Sequence, residues 1–340
     1  MDTKILQNVP LAQYTTLKIG GPADYFIKAN STTDLIKILS SADIKPITIL
    51  GNGSNVLISD TGIRGLVIKN TSSEIKIVNC KLKIENFSPT YTQRQENEPD
   101  KYLNFSKLDY DESTPPISEI EISSGCLLSY IINWTLDHGL TGLQWFAYIP
   151  GTIGGAIVHN IHGGTYHIAD YLKSITCFDQ NSQKTVTYQK SDLNWQYEQS
   201  FFLQNPNLVI LSVVLNLFHG DTIKAKSVRD AWIAQKIKVQ PMNSPGSAFQ
   251  NPSLEICQKN WGEQKSAGWI IDHELNLKGY SIGDAQISNQ HSNFFVNNGH
   301  ATASDYYKLI KHVQNLVKTK FGFDLLPEIK FLGDFSTPSK

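Results

Sequence analysis

The chain has 340 residues, 30 basic and 31 acidic side chains and a formal net charge of −1. That balance argues against a generalised binder of nucleic acid, which carries a basic excess. A hydrophobic content of 40% with 18% charged residues excludes a disordered chain. In chain order, residues 24–29 read as a strand, and Ser31 or Thr32 can cap a short helix carrying Leu35, Ile36 and Leu39. Residues 47–50 form a strand running straight into Gly51-Asn52-Gly53-Ser54-Asn55, and 65–68 form another. Residues 74–85 alternate as a strand does. The polar, proline-bearing stretch 86–118 reads as a long surface excursion. A strand at 120–122 precedes a helix over 127–138, stopped by Gly139. Several short strands fill 172–217, a boundary falls near Gly220-Asp221, and 221–238 suit a helix. The last helix starts near Thr302 and carries Tyr306, Leu309, Ile310, Val313, Leu316 and Val317 on one stripe, ending at Phe321-Gly322. The mixture predicts an α+β fold in at least two domains.

No apolar run reaches the ~20 residues a membrane helix needs, and the start MDTKILQNVPLAQ lacks a signal-peptide core. Cys80, Cys126, Cys177 and Cys257 are far apart with no C-x-x-C pair, so reduced thiols and a cytoplasmic location are expected. The nine histidines show neither H-x-x-x-H nor H-E-x-x-H spacing, and no metal is expected.

Four motifs can carry chemistry. Gly51, Asn52, Gly53, Ser54 and Asn55 follow a strand directly, and consecutive N–H groups in such a turn form an anion nest suited to a diphosphate. The same pattern is also an ordinary tight turn. Pro150-Gly151-Thr152-Ile153-Gly154-Gly155 lies beside aromatic residues and suggests a flat cofactor pressed against backbone, or simply close packing. Ser247, in Gly246-Ser247-Ala248-Phe249-Gln250-Asn251-Pro252, is a proton donor for a dry site or a turn serine. Glu328, set among apolar residues, is a buried acid or an edge carboxylate facing water.

In this order the motifs resemble the UDP-N-acetylenolpyruvoylglucosamine reductase family, flavoenzymes of bacterial cell-wall precursor synthesis. The likeness runs from about residue 10 to 333, apart from the excursion. It includes Tyr14-Thr15-Thr16-Leu17-Lys18-Ile19-Gly20-Gly21-Pro22-Ala23, the two glycine turns, Lys238-Val239-Gln240-Pro241, the Ser247 motif, Ala267-Gly268-Trp269-Ile270-Ile271-Asp272 and Pro327-Glu328. Gln290-His291-Ser292-Asn293-Phe294 is similar to the shorter form of the family, which lacks a substrate-covering tyrosine loop. The resemblance implies a two-part FAD-binding domain of the PCMH or vanillyl-alcohol-oxidase type at 1–71 and 72–219, and an α+β substrate domain at 220–340. It implies FAD and NADPH as cofactors and a UDP-sugar substrate, with no nucleic-acid or membrane partner and a monomeric state. Gly51, Asn52, Gly53, Ser54, Asn55, Gly151, Thr152, Gly154 and Gly155 would hold the flavin. Tyr197, Lys238, Gln240 and Asn251 would hold substrate. Ser247 would be the acid, and Glu328 would polarise the substrate carboxylate.

The chain departs from that pattern at two places. In Trp195-Gln196-Tyr197-Glu198-Gln199-Ser200-Phe201-Phe202, Glu198 stands where the family places its catalytic arginine, and only Arg64, Arg94 and Arg229 exist in the whole chain. A carboxylate beside a substrate carboxylate repels it. Asn160-Ile161-His162-Gly163-Gly164-Thr165-Tyr166-His167 replaces a family Asn-Ala-Gly-Ala-Tyr-Gly segment, which makes His162 and His167 new candidates. Three functions follow from these facts. They are the reductase itself, a related flavin oxidoreductase with another substrate, and a flavin- or nucleotide-binding relative without catalysis.

Overall fold

A computed structural model describes residues 4–81, 117–164, 166–196 and 199–336. Most of the 86–118 excursion lies outside the described residues, as do Tyr197 and Glu198.

The first sheet has four strands, β1 (Leu6–Pro10), β2 (Pro22–Ala29), β3 (Ile47–Leu50) and a later strand, β5 (Ile63–Asn70), in the order β1-β2-β5-β3. Strands β2, β5 and β3 run parallel, so their carboxyl ends share one edge. One helix, α1 (Thr32–Ser41), is capped by the Ser31 side chain, which accepts from Asp34 N. Leu35 and Leu39 of α1 pack with Ile27 and Ile68 of this sheet against Phe178, Val209 and Leu211 further along the chain. The opposite face buries Phe26, Leu50 and Val67.

The second sheet has five strands: β6 (Ile75–Lys81), β7 (Ile117–Ser123), β8 (Leu172–Asp179), β9 (Lys184–Gln189) and β10 (Leu208–Phe218), in the order β9-β8-β10-β7-β6. All its neighbours are antiparallel. Strand β7 begins at Ile117, inside the span read as excursion, and β10 is one strand of 11 residues rather than several short ones. Helix α2 (Leu128–Asp137) buries Leu128, Ile131, Ile132 and Leu136 against this sheet. Gly139 follows its end with φ 76°, a backbone state that favours glycine. A short helix, α3 (Ile153–Val158), starts within the second glycine motif, with Thr152 as its cap.

The rest of the chain is helical with a small sheet. Asp221 caps α4 (Thr222–Val239) by accepting from Ile223 N and Lys224 N. Helix α5 (Leu254–Trp261) ends at Gly262 with φ 75°. Strands β11 (Ser281–Ile282), β12 (Ala285–Ile287) and β13 (Phe295–Asn297) pair in sequence. They bury Ala285, Ile287 and Phe295 with Tyr306, Leu309, Ile310, Val313 and Val317 of α6 (Ala303–Phe321).

Two long-range ties close the molecule. The final strand β14 (Lys330–Leu332) pairs in parallel with β4 (Val56–Ile58), which follows the first glycine turn. Asp60 takes the amino end of α6: its carboxylate accepts from Ala303 N at 2.7 Å, Ser304 N at 2.9 Å and Ser304 Oγ at 2.7 Å. An anion at a helix amino terminus satisfies donors that have no partner within the helix.

Candidate active site

Strand β3 delivers Gly51 to Asn55 at the carboxyl edge of the parallel strands, where open α/β sheets place their ligands. Gly53 has φ 66°, and a Cβ there would sit 2.1 Å from Tyr14 O. Thr16 N donates to Gly53 O at 3.0 Å, so the turn is stitched to the 14–16 segment. A side chain at 53 has no room.

This turn lies against the second glycine turn. Ser54 Oγ donates to Pro150 O at 3.0 Å. A Cβ on Gly51 would come within 2.8 Å of Thr152 Oγ1, and one on Gly151 within 3.2 Å of Ser54 Oγ. Gly154 serves packing, since a Cβ there would meet Ser124 O at 2.9 Å. Thr152 Oγ1 accepts from Gly155 N at 3.3 Å. Lys69 donates its ammonium to Gly51 O and is the register partner of Lys28 on β2. Burial, and then the Lys28 charge, hold the Lys69 pKa below its ordinary value. Close glycine backbone beside two lysines fits a diphosphate group, so the residues present suit the dinucleotide cofactor that the sequence implies.

Ser247 and Glu328 are far apart in sequence and are brought together by backbone pairing. Ser247 bridges Phe294, and Phe249 bridges Pro327. Ala248 N donates to Asn293 O at 2.6 Å, and Glu328 N donates to Ala248 O at 2.9 Å. The Asn293 side chain holds the same strand, accepting from Phe249 N at 3.1 Å and donating to Phe249 O at 2.8 Å. Asn55 ties this unit to the first glycine turn: its Nδ2 donates to Glu328 O at 3.3 Å, and its carbonyl accepts from Lys330 N at 3.1 Å.

A cavity of about 610 Å³ opens between these elements. Ser247, Glu328, Lys330, Lys236, His159 and Tyr148 line it, and Pro150 places the second glycine turn in its wall. Both Ser247 and Glu328 are half-buried. Burial, and then the Lys330 charge, lower the His159 pKa to about 4. Burial is likewise the main cause that lowers His291, whose Nδ1 accepts from Asn293 N at 3.1 Å. Both imidazoles are therefore neutral near pH 7. Lys236 Nζ donates to Ala147 O at 3.0 Å and lies 4.9 Å from the Trp232 ring centre.

The other expected residues divide. Gln240 and His162 line the cavity. Lys238 is not among its lining residues, and its carbonyl accepts from Gln290 Nε2 at 2.9 Å. Asn251 is also absent from the lining; its Oδ1 accepts from Ala267 N at 2.9 Å and holds the start of the next turn. Sequence reasoning missed His159, Lys330, Gln250 and Tyr148 as cavity residues. Lys330 was recoverable, because it stands two residues beyond Glu328 where an extended chain repeats its direction. Among the described residues no group of three or more His, Cys, Asp or Glu side chains could hold a metal ion, and no helix is long and apolar enough to cross a membrane. All four cysteines are free thiols, and burial raises Cys126 and Cys177 to about 12.

Residues 238–332 match the family model of the UDP-N-acetylenolpyruvoylglucosamine reductase C-terminal domain. The UDP-N-acetylenolpyruvoylglucosamine reductase of Caldanaerobacter subterraneus subsp. tengcongensis is 32% identical over 335 residues, covering 97% of this chain and 94% of that protein. That of Clostridium novyi is 33% identical over 340 residues, covering 98% and 94%. The crystal structure of UDP-N-acetylenolpyruvylglucosamine reductase (MurB) from Thermus caldophilus superposes with a TM-score of 0.69 at 25% identity, covering 98% of this chain and 100% of that one. These likenesses, nearly end to end, define an oxidoreductase of α+β architecture. The chain belongs to the UDP-N-acetylenolpyruvoylglucosamine reductase family.

Proposed function

We infer that this protein reduces UDP-N-acetylenolpyruvoylglucosamine to UDP-N-acetylmuramate with NADPH, in the cytoplasm, as a step of peptidoglycan precursor synthesis. Residues 1–71 and 72–219 would hold FAD, and 220–340 would cover the substrate. Gly51 to Asn55, Gly151, Thr152 and Gly155 would contact the cofactor, with Gly154 allowing the close approach of α3 to Ser124, just past the end of β7. FAD, when bound, supplies the two-electron chemistry that takes hydride from NADPH and delivers it to C3 of the enol ether.

The protein's own task is charge control at the other carbon. Hydride addition at C3 leaves an electron pair on C2 beside the carboxylate. Ser247 donates its hydroxyl proton to C2, which completes the saturated ether. A serine of ordinary high pKa can protonate only a strongly basic carbon, which matches the acid to its task. Glu328, in its protonated form, would donate a hydrogen bond to the carboxylate end and so orient and polarise it. Lys330 and Lys236 supply positive charge in the same cavity. A donor aimed at developing charge is worth about 3–4 kcal/mol in a water-poor site. The observation that carries this reading is the convergence of Ser247 and Glu328 on one cavity walled by the second glycine turn.

Purified protein should be yellow, with a flavin absorbance bleached by NADPH and restored by the enolpyruvyl sugar nucleotide. In Ser247→Ala, bleaching by NADPH should persist while recovery slows by at least about a hundredfold. Recovery at the wild-type rate would remove Ser247 from the acid role. A second reading rests on Glu198, whose charge is opposite to the family's arginine. It holds that the protein reduces a different acceptor, and it predicts a flavin bleached by NADPH that this sugar nucleotide does not restore.

A further inference from the structure

Tyr148 is held where its side chain is costly to place. Its φ is 66°, and it is the only aromatic residue among the described non-glycine positions with positive φ. For a bulky side chain this is a true outlier, and such outliers persist only where the surroundings over-determine them. The surroundings here are explicit. Lys236 Nζ fixes the preceding carbonyl, Ala147 O, at 3.0 Å. Ser54 Oγ fixes Pro150 O, two residues on, at 3.0 Å. Ile149 N donates to Phe146 O at 3.2 Å across the same turn. Helix α4 and the first glycine turn thus clamp the backbone on both sides of residue 148.

Packing does not explain a tyrosine at this point. Its side chain is half-buried rather than part of a core. Among the described residues it has no hydrogen bond and no ring contact. What it does is line the cavity that also holds Ser247, Glu328 and Lys330. Glycine would satisfy the backbone at no steric cost.

We propose that Tyr148 is a specificity-determining residue, kept in a strained backbone so that its side chain contacts the sugar-nucleotide substrate in the cavity; this rests on the reductase reading above. Strain retained at a ligand site implies a trade between stability and binding. Replacing the tyrosine should relax the fold while it weakens substrate.

The test uses the flavin-loaded protein and two variants, Tyr148→Gly and Tyr148→Asn, since both new residues tolerate positive φ. Each is melted, and each is titrated calorimetrically with UDP-N-acetylenolpyruvoylglucosamine. Tyr148→Gly should melt about 2 °C higher than the parent and bind the nucleotide about tenfold more weakly, with Tyr148→Asn changing in the same directions. A lower melting temperature in both variants would make Tyr148 a structural residue and overturn the proposal. Unchanged affinity in both, with the parent binding normally, would overturn it and leave the reductase function standing. A parent that does not bind the nucleotide would overturn the function and the proposal together.

Discussion

Gly53→Ala tests whether the first glycine turn is shaped by close backbone approach. The backbone at 53 has φ 66°, which costs a side-chain-bearing residue about 1 kcal/mol. The added methyl would sit 2.1 Å from Tyr14 O, 3.0 Å from Thr15 Cα and 3.1 Å from Tyr14 C. The nearest of these contacts is to backbone, so a rotamer change cannot relieve it. The turn and the 14–16 segment must move apart by about 1 Å, and the Thr16 N to Gly53 O hydrogen bond of 3.0 Å is lost with them, at about 1 kcal/mol. The total is about 2 kcal/mol, of which only the first half is intrinsic to the φ angle. Gly262→Ala supplies the control, because its φ is 75° and nothing lies within 4 Å of the added methyl. Apoprotein of each variant is titrated with FAD by flavin fluorescence and melted without FAD. Gly262→Ala should lose about 1 kcal/mol of stability and hold FAD normally. Gly53→Ala should lose about 1 kcal/mol more, divided between stability and a weaker FAD complex. Equal behaviour of the two variants would refute the reasoning that the 51–55 turn is a tight cradle.

Other outcomes follow from single contacts. Asp60→Ala removes an acceptor of three hydrogen bonds at the start of α6, and urea unfolding should show a loss of about 2 kcal/mol, whereas Asp60→Asn should lose less. Asn293→Ala strips the buried partners of Phe249 N and O and should cost about 2–4 kcal/mol in the same assay, with Ser247-dependent turnover falling beyond what unfolding explains. Burial raises the Asp170 pKa above the ordinary carboxylate range. The folded protein therefore binds that proton more tightly than the unfolded chain, and the resulting stability is present below about pH 4 and lost as pH rises through the folded value. Asp170→Asn has no such proton, so the parent's stability advantage over the variant should shrink from about pH 4 to pH 7 in melting curves; a constant difference would contradict the burial argument.

Local signals made much of the fold legible. Thr302 begins the last helix as a cap, with Asp305 completing a capping box, and Gly322 ends it at φ 79°. Strand β3 runs into its glycine turn as its sequence suggests. Helix α3 was missed because glycines masked it, although Thr152 as a cap with Ile153, Ala156 and Ile157 on one face was a usable pattern. The site was legible as motifs and not as geometry. Ser247 is brought to Glu328 by pairing of residues 248–250 with 326–328 and of Ser247 with Phe294, and sequence spacing cannot announce pairings across such distances. The Asp60 clamp on α6 is hidden for the same reason, since an aspartate in a loop reads as solvated until its distant helix is known.

The parallel pairing of β14 with β4 has a bearing on biosynthesis. Synthesis runs from the amino end, so the glycine turns and both large sheets emerge from the ribosome long before Glu328 does. Until residues 330–332 dock beside Val56, the carboxylate wall of the cleft does not exist. A chain cut after Leu326 would carry both large sheets and both glycine turns yet lack Glu328 and β14, and so would have no carboxylate, among the described residues, in the wall of the cleft.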